Sequence, residues 1–575
     1  LSLAVVLVAC TTNPVATTAP TTTAGALVTT TAAAPSTTRQ DAANAGQRPA
    51  VFPAFSAFPE IPLIVDAPPY DGPLTPTSLT GVLWEDQVAP EARDLLESNG
   101  FVVIERGHTQ FHDAYSHVAM SGRQPLFVTT DAAYHSWHLA FSKALRDTEQ
   151  LVLLPALEDF VTEFRAAAEV QATELGGTDL EADAARVVLF ARLLQALLDL
   201  DDGPVPDEVR AELNLIEEHA GIVASPTTGA SVDYSLFKPR GHYTRTPELT
   251  RYFLAMSSLG LTALRLTEPS ELRTALLLAR ALTSTESLVR GWTRIYEPTA
   301  FLVGFADDYT PLEVVAAAEA IAIDWRQRPG QLATDSSLGQ LAGRLLAMRT
   351  VEIDAEQASV RTMGARFVLD SFIIDQLIYP NVGTAEQPRL KASPLDVAAS
   401  FGSEWAHRLQ VEAGEESFAG YAGQLEKMTA LVAGRAVTSW GGTVYDSWLH
   451  SIQPLWITHG AAYPDFMRSD AWTAKSHNTG LGSYAELKHD TILYAKQAFA
   501  EGETPLVPAE PRHWVEPEPV AYARLAATTR LLQEGLRSRQ LLDPRVDTLL
   551  ERLATVLDRF ERIALDELAA RPISP

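Results

Sequence analysis

Three separated stretches of this 575-residue chain gather side chains that can do chemistry. The first is Thr129-Thr130-Asp131-Ala132-Ala133-Tyr134-His135-Ser136-Trp137-His138. Asp131 is placed to cap a helix running to about Val152, on which His135, His138, Ser142, Arg146 and Glu149 form one stripe and Trp137, Phe141 and Ala144 the opposite one. Two imidazoles one turn apart can share a divalent metal, with Asp131 as the third candidate ligand. The same positions equally suit the polar outer face of an amphipathic helix, or histidines hydrogen-bonded within a core.

The second stretch, Asp233 to Arg245 (DYSLFKPRGHYTR), is a basic island in an acidic protein. Lys238, Arg240, His242 and Arg245 stand just before Thr246-Pro247, a helix start whose free N–H groups favour anions, so they are the candidate binders of an anionic substrate group. Pairing with some of the 72 carboxylates explains the same cations. The third stretch runs from Gly480 to Gln497. At 100° per residue Glu486, His489, Asp490, Lys496 and Gln497 share a helix face, and Leu487, Ala495, Ala498 and Phe499 the other. Glu486, His489 and Asp490 within one turn form the candidate catalytic cluster, suited to acid/base work or to a metal. A solvated face with acids early and Lys late, as the helix dipole prefers, gives the same pattern.

Other motifs fail on their own chemistry. Ser235-x-x-Lys238 has the spacing of a serine–lysine nucleophile, but Pro239 disfavours helical geometry at Lys238, and neither Ser-Asp-Asn nor Lys-Thr-Gly occurs. His108-Thr-Gln-Phe-His112 carries Thr109 where a zincin needs its Glu. The Asp199 to Gly203 run has its glycine one place early for a calcium loop. Glu404-x-x-His407 repeats the spacing of Glu486-x-x-His489, the pairing used twice in di-iron bundles.

The elements that must position these groups are helices. Glu181 to Leu200 repeats apolar residues at Val187, Phe190, Leu194 and Leu197. Thr310-Pro311-Leu312-Glu313 combines an N-cap, a first-position Pro and a capping-box Glu, and Thr246-Pro247, Ser393-Pro394 and Asp543-Pro544 are similar starts. Strand-prone runs are short, at Phe101 to Glu105 and Leu126 to Thr129, and the Pro-rich stretch from Thr504 to Pro519 reads as a strap. The expected fold is mainly α, a large multi-helix body over residues 50–575 with at most a small β element.

The N-terminal part sets an address. Leu1 to Ala9 is too short for a membrane span, which needs about 20 residues, and reads as a secretory signal remnant, the alternative being a piece of another apolar N-terminus with a chance Cys. Leu7-Val8-Ala9-Cys10 matches the bacterial lipobox, which makes Cys10 the lipidation site and the membrane lipid its partner. Residues 10–49, dominated by Thr, Ala and Pro, cannot bury enough apolar surface to fold and read as a disordered tether with a mean reach on the order of 35 Å. Cys10 is the only cysteine, so disulfides and thiol chemistry are excluded from the body. A net charge of −27 excludes nucleic acid as a partner.

Six strings carry a resemblance. Thr129-Thr130-Asp131 with His135, DYSLFKPRGHYTR from Asp233, Ile295 to Thr299 with Asp307-Asp308, Arg361 to Phe367, ELKHDTILYAKQ from Glu486, and Val515-Glu516-Pro517 resemble the signature strings of the family catalogued as domain of unknown function 3160. The resemblance covers the chain from about Leu79 onward. It implies large secreted or lipid-anchored prokaryotic proteins, and a family pattern that continues beyond Pro575 with an Asp-Val-His string and a Tyr-rich section. The functional expectation is a lipid-anchored hydrolase, with a divalent metal as the possible cofactor, acting on an envelope or extracellular substrate. The alternative is a non-catalytic envelope scaffold or binding protein that uses Trp440, Tyr445, Trp448 and Trp456 as a ligand platform.

Overall fold

The helix starts written in the sequence are the ones the chain uses. Thr246, Thr310, Ser393 and Asp543 each accept a hydrogen bond from a backbone N–H of the first turn, with Pro next in line, and Thr310 and Ser393 complete capping boxes with Glu313 and Asp396. The structure is a computed structural model that describes residues 89–494 and 513–573, apart from 105–107, 109, 121–125, 201–202, 354–357, 570 and 572. The expected signal remnant and tether, Cys10, Lys496, Gln497 and positions 504–512 of the expected strap lie outside the described residues.

The chain begins its described course on α1 (Pro90–Asn99), α2 (Phe111–Met120) and the strand β1 (Leu126–Val128). Then come α3 (Thr130–Thr148), a π-helical turn over Glu149–Leu153, α4 (Leu154–Leu175), α5 (Glu181–Leu197) and α6 (Asp207–Glu217). The hairpin β2 (Ile222–Ala224) and β3 (Ser231–Asp233) leads through two short 3-10 turns into α7 (Pro247–Leu261), β4 (Leu264–Arg265), α8 (Pro269–Leu282), α9 (Glu286–Leu302), α10 (Pro311–Glu319) and α11 (Asp335–Met348). After β5 (Ser359–Val360) follow α12 (Leu369–Gln376), α13 (Pro394–Ser400), α14 (Glu404–Glu412), α15 (Tyr421–Ala433), α16 (Val444–Ile452) and α17 (Asp470–Asp490). The strand β6 (His513–Val515) and the antiparallel pair α18 (Pro519–Ser538) and α19 (Pro544–Leu568) close it.

The mainly α expectation holds: among the described residues the strands form only three two-stranded pairs. β1 and β6 run parallel with Leu126 opposite His513 and Val128 opposite Val515, which brings the Val515-Glu516-Pro517 string beside the start of α3. Two details differ from the sequence reading. Phe101 to Ile104 is irregular rather than a strand, because Phe101 spends its apolar ring edge-on against Trp472, 4.8 Å between centroids. The strap stretch contributes a strand, β6, at its described end.

Packing fixes the two helices that carry the site. α17 lies along α3, α18 packs on both α16 and α19, and α4 is flanked by α5 and α9. The core is continuous, with Trp137, Trp292, Trp325, Trp448 and Trp456 fully buried. Gly480 explains the glycine inside α17: a Cβ there would overlap the indole of Trp456. No helix of the described residues is long and apolar enough to cross a membrane.

One ionisable group in this frame sets a pH dependence. Glu567, near the end of α19, accepts from the Val515 N–H at 3.2 Å through Oε1, while its buried Oε2 has no hydrogen-bond partner. Burial pushes its carboxyl up to about 7 from an ordinary 4.5. With the folded value the higher one, the native state holds the proton longer, so the group's contribution falls as pH rises from 4.5 to about 7 and stays unfavourable above. Glu567→Gln keeps the acceptor for Val515 and removes the charge. Its melting temperature should exceed the parent's at about pH 8, with the gap closing toward pH 4.5; thermal unfolding across that range checks it.

Candidate active site

The first histidine segment begins two residues earlier than its acidic residue suggests. Thr129, not Asp131, is the N-cap, its hydroxyl accepting from the Ala132 N–H at 3.4 Å. Asp131 instead sits in the first turn, accepting from the Thr479 hydroxyl at 2.6 Å and pairing with Lys475 at 3.1 Å. Trp137, Phe141 and Ala144 are buried as the periodicity requires. α3 itself ends at Thr148, and the π-helical turn carries the chain on to Leu153.

Along α3 the two imidazoles meet two carboxylates of α17 in register. His135 Nδ1 lies 2.6 Å from Glu486 Oε1, and one turn on His138 Nδ1 lies 2.7 Å from Asp490 Oδ2. The i, i+3 spacing on one helix therefore faces the i, i+4 spacing on the other. The outer pair is reachable, with side chains 14% and 18% exposed, whereas the inner pair is sealed at 3% and 0%. His489 joins from the next residue, its Nδ1 3.4 Å from the second Asp490 oxygen. Burial alone would raise the Asp490 carboxyl, but His138 and His489 outweigh it and hold it below the usual carboxylate value. His489 is held on its other side by Gly241, a left-handed residue (φ 55°) where a Cβ would stand 2.9 Å from the imidazole.

His135, His138 and Glu486 can each aim one ligand atom at a common point, all three within 4.8 Å of one another. Glu486, rather than Asp131, is the carboxylate the fold brings to the two histidines. His138, its Nδ1 oriented by Asp490, which is outside the three, follows the carboxylate–histidine pattern in which an outer carboxylate fixes the ring that binds a metal.

The family profile described as Protein of unknown function (DUF3160) matches residues 89–575. The chain belongs to this DUF3160 family. Comparison with curated proteins and with solved structures finds no match.

In this DUF3160 chain a groove of about 1130 Å³ lies near the outer dyad and reaches His135 through Phe111, which lines it, while His135 and Glu486 do not. Its apolar side includes Val103, Ile104 and Phe111, its polar side Asp131 and Lys475, and the Phe111 ring lies 5.2 Å from that of His135. Lys475 is fixed by Glu516, 2.7 Å away, which in turn accepts from the Thr130 N–H at 2.8 Å. Burial would lower the Lys475 ammonium, yet Glu516 and Asp131 outweigh it and raise its pKa, so Lys475 stays charged and the same two carboxylates offset it.

The four candidate anion binders separate. His242 is buried, its Nε2 2.5 Å from Glu149 Oε2, and Glu149 also accepts from the Tyr243 and Tyr494 hydroxyls at 2.7 and 2.6 Å. A buried carboxylate has claimed that imidazole. Lys238 is exposed and Arg240 half-buried, and both line a second cavity; Arg245 is exposed beyond it. α17 also stops at Asp490 instead of running to Gln497. Residues 491–494 turn, which sends the Tyr494 hydroxyl to Glu149 and lets the Tyr494 carbonyl accept from the Arg366 N–H at 2.8 Å.

The aromatic quartet is core: Trp440, Tyr445, Trp448 and Trp456 are at most 4% exposed, because α16 is covered on every side. It offers no platform. His407 is exposed and pairs with Glu416 at 3.3 Å, so Glu404-x-x-His407 does not join Glu486-x-x-His489 in a di-metal cage. The partners that spacing could not reveal are Glu149, as the receptor for three donors, and Arg366, whose neighbours come from distant parts of the chain.

Proposed function

We propose that this DUF3160 chain is a metal-dependent hydrolase acting on an envelope or extracellular substrate, anchored to the membrane by acylated Cys10. The observation that carries the reading is the pair of stacked dyads, His135–Glu486 and His138–Asp490, at 2.6 and 2.7 Å. Two imidazoles and a carboxylate form a donor set suited to zinc, and three protein ligands leave a position for water. A bound divalent ion supplies Lewis acidity and brings its water toward a pKa of about 7.

The chain's own residues divide the remaining work. Asp490 keeps the His138 ring and its proton in place, and His489, held between Asp490 and Gly241, is the candidate for carrying a proton to a leaving group. The partly exposed His135 and Glu486 meet the substrate from the side of the groove, where the paired Lys475 and Asp131 favour a polar, strongly dipolar chain.

Elemental analysis of purified full-length protein, after mild metal reconstitution, should find about one divalent ion per chain, and His135→Ala and Glu486→Ala should lose it. Less than about a tenth of an equivalent would overturn the metal reading. Fluorogenic ester, peptide and glycoside substrates test hydrolysis on the same preparation; a stoichiometric ion with no turnover on any of them would leave a metal-binding protein and overturn the enzyme reading. Labelling with radioactive palmitate, lost in Cys10→Ser, tests the anchor.

A further inference from the structure

Tyr494 helps to line a cavity of about 320 Å³ that includes none of the dyad residues. Its charge is unusual for a protein of net charge −27: Lys238, Arg240, Arg361 and Arg366 all line it, and no carboxylate does among the described residues. The rest is mostly apolar, with Phe253, Met256, Leu261 and Met363 supplying the walls.

These cations are not equivalent. Arg361 is compensated by Asp308, 2.9 Å from its Nε, and donates to the Gly260 carbonyl. Arg366 is not compensated. It is 1% exposed, its Nη2 donates to the Thr299 hydroxyl at 2.6 Å, its guanidinium lies 4.1 Å from the Tyr296 ring centre, and its Nη1 has no hydrogen-bond partner. No carboxylate among the described residues pairs with it. Burial lowers its pKa, with Tyr296, Tyr494 and Tyr252 opposing, which is the signature of a guanidinium lacking a counter-charge. A buried charge that neither water nor a partner neutralises is costly unless something supplies the opposite charge.

We infer that this cavity binds a small amphiphilic monoanion, a carboxylate on an apolar chain, with its head among Arg366, Arg240 and Lys238 and its chain against Phe253, Met256, Leu261 and Met363. Lys238 is exposed and Arg240 half-buried, so water reaches both, and the one uncompensated buried cation, Arg366, calls for one negative charge, which favours a carboxylate over a phosphate dianion. The volume falls at the small end of ligand sites and the walls suit a short aliphatic chain. Arg240 precedes Gly241, the residue pressed on His489, so an occupant borders the histidine cluster without requiring it. The inference goes beyond the proposed hydrolase and stands apart from its metal.

Calorimetric titration of EDTA-treated full-length protein with octanoate, octan-1-ol and octyl phosphate tests it, independently of metal and turnover. Octanoate should bind one per chain and about tenfold or more tighter than octan-1-ol and octyl phosphate. Arg366→Met should lose that preference while the ligand-free protein melts no lower than the parent, since an uncompensated charge has been removed. Leu261→Trp, which fills the cavity from a partly exposed helix end and leaves Arg366 intact, should abolish binding and carries the test if Arg366→Met does not fold. No octanoate binding at millimolar concentration, equal binding of octan-1-ol, tighter binding of octyl phosphate, or parental affinity in Leu261→Trp would each overturn the inference.

Discussion

Asp490→Asn is expected to weaken divalent-metal affinity by about 10- to 100-fold while the metal-free protein still unfolds cooperatively. Asp490 is 1% exposed and makes no contact with the proposed ion; it acts through His138, 2.7 Å from one of its oxygens, and reaches His489, 3.4 Å from the other. A carboxylate can accept from both rings at once and adds negative charge that raises the basicity of the ring facing the metal. Asparagine offers a single acceptor oxygen and no charge, so one ring loses its anchor and the other its electrostatic support. Competition against a chromophoric chelator measures the affinity, and far-UV circular dichroism on heating checks the fold. Unchanged affinity would mean that His138 is not a ligand and that its dyad with Asp490 is structural.

The same pair shows how far the sequence carried the reading. Glu486, His489 and Asp490 on one turn, and His135 and His138 on another, were legible because helix periodicity fixes which neighbours share a face. That the two faces meet was not legible, since register between helices separated by more than 300 residues depends on packing such as the approach of Gly480 to Trp456. Helix starts were legible for a local reason: a cap is a bond between residues two or three apart, as at Thr310 and Ser393. Asp131 misled because an acid in a first turn and an N-cap look alike in sequence, and Thr129 was the better-placed oxygen.

Burial accounts for the remaining differences. His242 stands among cations in the sequence, yet a fully buried Glu149 draws it inward, and Lys238, Arg240 and Arg245 stay nearer the surface. Lys488, which the spacing did not single out, is also drawn inward, to Asp370, 2.8 Å away, with Tyr445 and Tyr484 completing that carboxylate's bonds. The strings that identify the family converge in space rather than in sequence: Arg366 touches Thr299 and Tyr494, and Arg361 touches Asp308. No spacing rule links residues 299, 308, 366 and 494.

Glu149→Ala should lower the unfolding free energy by about 3–5 kcal/mol, the largest single-residue stability effect expected in this region. Glu149 opens the π-helical turn between α3 and α4, has no exposure, and is the common acceptor for His242, Tyr243 and Tyr494. Burial, reinforced by the Glu149 charge, pushes both tyrosine hydroxyls well above their ordinary pKa, so they remain donors at any working pH. Truncation takes the acceptor from buried His242 and Tyr243, leaves Tyr494 only the Tyr252 hydroxyl at 2.9 Å, and frees the 3-10 turn that carries Gly241. Glu149→Gln separates hydrogen bonding from charge: its carbonyl still serves both tyrosines, and its amide donates to a neutral His242, so the loss should shrink to about 1–2 kcal/mol. Urea unfolding of metal-free protein measures both variants. The pattern is the reverse of that for Asp490→Asn, because Glu149 bonds to His242, Tyr243 and Tyr494 and to no member of the dyads. Metal affinity should survive in Glu149→Gln while stability falls. A Gln variant as unstable as Ala would assign the effect to the charge of Glu149 rather than to its hydrogen bonds, and a Gln variant that lost its metal would tie this buried carboxylate to the site itself.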